Sequence, residues 1–146
     1  MFNSANLSIR SFVNKGQEKV IGSRDGLFYI NEATGVVKSF VKPVLTSDLI
    51  LTICFYQGEY YIGTYGGGMM VLNPETLSLK YFAQGDTELF QKGHIFCVKP
   101  DAKGNLWIGT SQGLFSYNGQ TKQIKSFTSA NSQLPEGNVY EVSFDS

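Results

Sequence analysis

The side chains best suited to bind a ligand fall in three short segments of similar form: Ser23-Arg24-Asp25, Thr64-Tyr65-Gly66 and Thr110-Ser111-Gln112. Arg24 and Asp25 are neighbours that could hydrogen-bond a sugar hydroxyl or cap a turn, and we favour the turn. Tyr65 offers apolar ring area with a polar tip, which suits stacking on a sugar ring and packing between structural units equally well. The candidate ligand-binding residues are Arg24, Asp25, Tyr65, Ser111 and Gln112.

Residue patterns for catalysis are weak in this sequence. Hydrolysis of glycosides needs two carboxylates facing each other across a cleft, and the sequence does not fix the separations of the loop carboxylates. A Ser-His-Asp triad would need the single histidine, His94, and no nucleophile elbow accompanies it. The glycines of segment 63–68 are not followed by the Gly-Lys-Ser/Thr of a phosphate-binding loop. We therefore predict no catalytic residue, and we interpret His94 as a solvated loop side chain.

Metal and cofactor sites are also not expected. Cys54 and Cys97 show no Cys-x-x-Cys spacing, and one histidine cannot complete a zinc site that needs about four ligands. The simpler interpretation is that both cysteines are small buried hydrophobic residues.

Composition narrows the function further. Of the 146 residues 42% are hydrophobic and 16% are charged, so the chain can bury a core. Twelve basic and twelve acidic side chains cancel, which makes nucleic acid a poor candidate partner. No apolar run reaches about 18 residues, so we expect no membrane contact by this segment. Residues 1–11 lack the basic and apolar regions of a signal peptide.

The strongest signal is an internal repeat. The dipeptide Ile-Gly recurs with its glycine at Gly22, Gly63 and Gly109, which are 41 and 46 residues apart. Each copy continues into a short apolar strand that ends at an asparagine, and a phenylalanine follows nine residues later. These landmarks are Asn31, Asn73 and Asn118, followed by Phe40, Phe82 and Phe127.

Each copy has the chemistry of antiparallel β-hairpins. In the third copy, apolar strands at 95–98, 106–108 and 114–117 alternate with turn residues, and 123–127 reads as a solvated outer strand. Asn118-Gly119 predicts a two-residue type I′ turn. No segment reads as a helix: 86–92 could hold one helical turn, but Gly85 and Gly93 bracket it as a loop.

Four antiparallel strands that recur every 40–46 residues are typical of β-propeller blades. We predict an all-β fold, a partial β-propeller of about three four-stranded blades plus the first strand of a fourth. The chain is treated as one propeller fragment with blades at approximately 7–46, 47–92 and 93–136. The next blade would start within 137–146.

The segment Gly104–Leu114 resembles the repeat of two-component regulator propellers, with Gly-Asn-Leu-Trp-Ile-Gly-Thr followed by Gly-Leu. Leu134–Val139 is similar to that family's connector between blades, and the first two copies match more loosely. The resemblance implies a periplasmic segment of the sensor region of a hybrid two-component system sensor histidine kinase. Many such sensors bind oligosaccharides, so the resemblance implies ligand sensing rather than catalysis, with an oligosaccharide as partner.

Two alternatives remain open: a protein-interaction propeller without a small ligand, and a non-catalytic part of a polysaccharide-degrading propeller enzyme. In propellers the loops from second to third strands share a face with the connectors between blades, here 42–48, 84–94 and 130–138. We expect the ligand site on that face. Three blades leave two apolar blade faces uncovered, so we also expect self-association.

Overall fold

The computed structural model describes residues 9–41, 47, 49–85, 87–127 and 137–144. These residues form three four-stranded sheets and one short helix. The first sheet contains β1 (Ile9–Lys15), β2 (Glu18–Ser23), β3 (Leu27–Asn31) and β4 (Val36–Phe40). The second contains β5 (Ile50–Tyr56), β6 (Glu59–Thr64), β7 (Met69–Asn73) and β8 (Ser78–Tyr81), followed by α1 (Thr87–Lys92). The third contains β9 (Ile95–Pro100), β10 (Asn105–Thr110), β11 (Gly113–Asn118) and β12 (Gln123–Phe127).

Every sheet is an antiparallel meander in which each strand pairs with the next one along the chain. Neighbouring sheets approach each other most closely through their first strands, β1 to β5 and β5 to β9. The first strands therefore lie nearest a common axis, and β4, β8 and β12 lie at the rim. This arrangement confirms the predicted all-β, propeller-type fold of three four-stranded antiparallel sheets.

Two apolar cores lie between the sheets. The core between the first and second sheets contains Val20, Leu27, Ile62 and Leu72, each fully buried. The core between the second and third sheets is richer in aromatic rings; it contains Tyr56, Tyr61, Phe82, Phe90 and Tyr117. Because side chains alternate between the faces of a strand, the second sheet supplies one face to each core.

The glycine of each Ile-Gly pair marks the closest approach between consecutive sheets. A Cβ atom at Gly22 would overlap the side chain of Ile50, and one at Gly63 would lie 2.7 Å from Cγ2 of Ile95. A Cβ at Gly109 would lie 2.5 Å from the carbonyl oxygen of Val139. The repeat keeps glycine because the next sheet's first strand packs directly on this position.

Residues 137–144 lie where a further first strand would begin. The Val139 amide donates a hydrogen bond to the Thr110 carbonyl oxygen at 2.9 Å, and Val139 covers Gly109 as Ile95 covers Gly63. No strand pairing is assigned to this segment.

Two local predictions were wrong. Segment 87–92 is a helix rather than a loop, and in this helix Leu89 and Phe90 are both fully buried against the second core. The Asn118-Gly119 turn is not type I′: strand pairing closes at Asn118 and Gln123, which leaves a four-residue loop, and Lys122 rather than Gly119 takes a positive φ of 63°.

Candidate functional site

Three buried hydroxyls lock the turns that carry the predicted site residues. The Thr64 hydroxyl donates to the Gly68 carbonyl oxygen at 2.8 Å and accepts from the Gly67 amide at 3.1 Å. Ser23 makes the same pair of bonds with Gly26 and Asp25, and Thr110 with Gly113 and Gln112. All three hydroxyl side chains are fully buried. The Ser or Thr that follows each Ile-Gly pair therefore fixes the shape of the turn rather than contacting solvent.

The five predicted site residues occupy these turns. Arg24, Asp25, Tyr65 and Gln112 are exposed, and Ser111 is half-buried. We call the end of the three sheets that carries the turns after β2, β6 and β10, together with the starts of β1, β5 and β9, the loop face. The structure places all five residues on this face, whereas most of the predicted connectors 42–48 and 130–138 lie outside the described residues.

A β-bulge recurs at the start of every first strand on the loop face. The ladder skips one residue between Ile9 and Ser11, between Ile50 and Thr52, and between Ile95 and Cys97. The skipped residues are Arg10, Leu51 and Phe96. Bulges redirect a side chain out of the ladder and are common beside functional sites. Each sheet thus delivers one redirected side chain to the part of the loop face nearest the axis.

Tyr65 and His94 form a contact between the second and third sheets on the loop face. Their rings stack with centroids 3.9 Å apart and planes 19° from parallel. The Tyr65 backbone is held on both sides, since its amide donates to the Leu49 carbonyl oxygen at 3.1 Å and its carbonyl oxygen accepts from the Ser47 hydroxyl at 2.9 Å. Tyr65 nevertheless keeps 51% of its surface exposed.

His94 is not the solvated loop side chain expected from the sequence. It is half-buried, and its Nδ1 atom is buried without a hydrogen-bond partner among the described residues. The stack joins residues that are 29 positions apart and on different sheets, so no local sequence pattern could have paired them.

Two more aromatic rings extend this contact. The Phe96 ring lies 6.0 Å from His94 and 4.6 Å from the ring of Tyr140, which is 62% exposed. Tyr140 follows Val139 as Phe96 follows Ile95, so Tyr140 lies in the segment 137–144 at the position that corresponds to Phe96. We call Tyr65, His94, Phe96 and Tyr140 the aromatic row. The sequence signal for its third-sheet part was His94-x-Phe96 at the start of an apolar strand.

The opposite end of the sheets carries hydrogen bonds that serve the packing of the fold. The Glu18 carboxylate accepts from the hydroxyls of Tyr29 at 2.7 Å and Tyr60 at 2.8 Å, which ties the first sheet to the second. Tyr56 donates to the Gly104 carbonyl oxygen at 2.6 Å and accepts from the Gly119 amide at 2.8 Å, which ties the second sheet to the third.

The outer face of the third sheet carries grooves at the place where a further sheet would pack. One is lined by Asn105, Trp107, Ser116 and Phe127 among others. Register places Trp107 where Tyr61 and Val20 stand in the preceding sheets, and both of those contact the next sheet's core. We therefore assign this groove to blade packing rather than to a ligand.

No candidate metal site is present in the part of the chain that the structure describes. No group of three or more His, Cys, Asp or Glu side chains comes together there. Cys54 and Cys97 carry free thiols and are both buried, and burial raises the pKa of the Cys54 thiol to about 12. Burial also raises the pKa of Cys97. Both thiols are therefore protonated and unreactive in the folded chain near neutral pH.

Comparison with known proteins agrees with the repeat chemistry. Residues 90–112 match the family described as two component regulator propeller. This segment therefore matches a two-component regulator propeller repeat. The match includes His94, Phe96 and the Trp107-Ile108-Gly109-Thr110 segment, so the resemblance stated from the sequence is confirmed. No curated protein matches the chain.

Solved structures with the same fold include extracellular domains of hybrid two component systems. The extracellular domain of BT4673 from B. thetaiotaomicron, named as a hybrid two component system, aligns with 23% identity and a TM-score of 0.68 over 82% of this chain and 16% of that one. The corresponding domain of BT3049 aligns with 28% identity and a TM-score of 0.60 over 85% and 18%. The computationally designed Ika4 protein aligns with 14% identity and a TM-score of 0.68 over 100% and 85%.

Two of these structures agree with the location expected from the sequence. Both domains are extracellular parts of hybrid two component systems, in agreement with a periplasmic location. This chain spans less than a fifth of either domain. Within the described ranges no helix is long and apolar enough to cross a bilayer.

Proposed function

We propose that this chain is a ligand-sensing segment of the extracytoplasmic propeller of a two-component regulatory sensor, and that the ligand is an oligosaccharide. The observation that carries the proposal is the loop face. Turns fixed by buried hydroxyls hold exposed charged, amide and phenol groups in place. Such pre-ordering lowers the entropy cost of binding a polar ligand. The extracellular two-component domains with this fold support the same role.

Binding alone does not produce a signal. A ligand shifts the equilibrium between two arrangements of a sensor only when its affinities for the two arrangements differ. The side chains of the loop face come from different sheets, so a ligand that contacts them can have different affinities for different arrangements of the sheets. A sugar chain that contacts the turns after β6 and β10 together would favour one angle between the second and third sheets.

The test is isothermal titration calorimetry of the purified chain with maltohexaose, cellohexaose, xylohexaose and mannohexaose. We expect heat with at least one glycan, and a roughly two- to tenfold loss of affinity in Gln112→Ala when one hydrogen bond is removed. Gln120→Ala is the matched control, since Gln120 is an exposed glutamine in the loop between β11 and β12 at the other end of the sheet. If no glycan gave heat, the sensing proposal would be rejected.

We also propose that the isolated chain self-associates through its uncovered sheet faces. One face of the first sheet presents Phe12 and Val37, which are 51% and 61% exposed, beside Phe28 and Ile30. In the second sheet, Ile53 and Leu72 stand at the register of Phe12 and Ile30, and both are buried against the preceding sheet. A second copy can supply such a sheet through the outer face of its third sheet.

Light scattering at increasing concentration tests this proposal. We expect the average mass to exceed the 16.1 kDa of one chain and to fall toward it in Val37→Lys. Val36→Lys is the control, because Val36 is exposed on the other face of the same strand. A wild-type chain that stayed monomeric at high concentration would contradict self-association.

A further inference from the structure

The aromatic row has a composition and exposure that the packing of the fold does not require. Its two ends, Tyr65 and Tyr140, are 51% and 62% exposed, while the rings between them are half-buried. In the first sheet the position of Tyr65 is held by the charged and exposed Arg24, and in the third sheet by Ser111. An aromatic ring at this position is therefore not demanded by the turn.

The rings are also held in place. Tyr65 has both backbone polar groups bonded to the segment that precedes β5. The His94 carbonyl oxygen accepts from the Ser111 amide at 3.1 Å, and the half-buried Phe96 ring contacts the rings of His94 and Tyr140. A platform of fixed rings loses little conformational entropy when a ligand stacks on it.

Polar groups border the row. Ser111 is in direct contact with His94 through the backbone bond, and Gln112 follows it on the loop face. At the other end the Tyr140 hydroxyl accepts from the Asn138 side chain at 2.5 Å. The buried Nδ1 of His94 has no partner within the described part of the chain. Apolar ring faces edged by hydroxyl and amide groups match a pyranose, which has an apolar C–H face and a rim of hydroxyls.

We propose that the aromatic row is a stacking subsite for an oligosaccharide, with one sugar ring on Tyr65 and another on Tyr140. This inference rests on the proposed function and adds to it the residues and the mode of contact. The subsite bridges the second sheet, the third sheet and the segment 137–144, so the bound chain runs from blade to blade around the axis rather than along a single blade.

Calorimetry with the same four hexasaccharides tests the subsite. Loss of one stacking surface in Tyr65→Ala or Tyr140→Ala is expected to weaken binding about tenfold, and Tyr65→Phe is expected to retain it because the ring remains. Tyr81→Ala is the matched control, since Tyr81 is 47% exposed on β8 and does not belong to the row.

Proton–carbon NMR of the only histidine gives an independent reading of the site. The His94 ring signals are expected to move on addition of the binding glycan in the wild type and in Tyr81→Ala. The stacked Tyr65 ring shields these protons, so Tyr65→Ala is expected to change their position before any glycan is added. Unchanged His94 signals at glycan saturation would overturn the subsite.

Different results would reject the stacking subsite and the ligand-sensing function. If Tyr65→Ala and Tyr140→Ala bound as tightly as the wild type while Gln112→Ala did not, the subsite would be overturned and the sensing function would stand. If no hexasaccharide bound the wild type, both would fall together.

Discussion

At the scale of single residues, corresponding positions in the three copies share a structural role even where the residue type differs. The residue after each Ile-Gly pair is Ser23, Thr64 or Thr110, and the shared feature is a buried hydroxyl that both donates and accepts within its turn. The turn can then vary in length and in exposed side chains without losing its anchor. This division explains why the binding candidates differ between copies while the fold does not.

The anchor can be tested at Thr64. Thr64→Val keeps the shape but leaves the Gly68 carbonyl oxygen and the Gly67 amide without this partner, and we expect a loss of about 1–3 kcal/mol in the free energy of unfolding. Thr64→Ser retains the hydroxyl and should lose less. Urea unfolding of the three proteins measures the difference. Equal stability of the valine and serine variants would show that the hydroxyl does not anchor the turn.

The Ile-Gly glycine sets the spacing between sheets and gives a second prediction. A Cβ at Gly63 would lie 2.7 Å from Cγ2 and 2.9 Å from the carbonyl oxygen of Ile95, and backbone cannot easily move away. We expect Gly63→Ala to cost about 1–3 kcal/mol of unfolding free energy through overpacking.

A suitable control is Gly58→Asn. A Cβ at Gly58 meets nothing within 4 Å, and asparagine tolerates its positive φ of 85°. Thermal unfolding that showed Gly63→Ala as stable as Gly58→Asn would contradict the close approach.

At the scale of elements, the turn between the third and fourth strands is built the same way in all three sheets. Asn31, Asn73 and Asn118 each accept two backbone hydrogen bonds through Oδ1 and close the loop with a backbone bond four residues on. The fourth and last residue of each loop has positive φ. It is Gly35 in the first sheet, but Leu77 and Lys122 in the others.

The strain at these positions predicts a stabilising substitution. Lys122 has φ of 63°, a conformation that costs a non-glycine residue about 1–2 kcal/mol, although glycine makes the unfolded chain more flexible. We expect Lys122→Gly to raise the free energy of unfolding by about 0.5–1 kcal/mol. Lys125→Gly in the middle of β12 should lower it instead, and urea unfolding of both variants would reveal whether the signs differ.

The sequence was informative about elements and poor about contacts between them. Ile-Gly, Asn and Phe landmarks located the sheets because each recurs at an equivalent position in all three copies. Helix 87–92 was missed because six residues carry little periodicity and its burial comes from Phe82 and Phe115 on other elements. The Tyr65–His94 stack was missed for the same reason. What depends on two sheets meeting cannot be deduced from either one alone.

At the scale of the whole molecule, the junctions between sheets hold its most perturbed titrating groups. Burial, and then the hydrogen bond to Glu18, raises the pKa of Tyr60 between the first and second sheets. Between the second and third sheets, burial raises the pKa of Cys54 to about 12, and burial followed by the nearby Tyr117 raises that of Tyr61. Each group is therefore packed in its neutral form.

Alkaline pH should consequently separate the sheets. An unfolded thiol loses its proton near pH 9 while folded Cys54 keeps it to about pH 12, so between these values the unfolded state binds fewer protons and the free energy of unfolding falls as pH rises. Each such group contributes a slope of at most about 1.4 kcal/mol per pH unit. The part of the folding free energy that comes from the neutral Cys54 thiol is thus fully present below pH 9 and is lost progressively above it.

Urea unfolding between pH 7 and 11 measures this loss, and two variants assign it to the junctions. Cys54→Ala and Tyr61→Phe each remove a titrating proton from the second junction, so each should start less stable than the wild type at pH 7. The cysteine variant should decline less steeply above about pH 9 and the tyrosine variant above about pH 10. Gln120→Ala, at an exposed loop position without a titrating group, should keep the wild-type slope. A wild-type stability that did not change up to pH 11 would mean that these groups ionise equally in both states, and that the junctions are more open to water than their burial indicates.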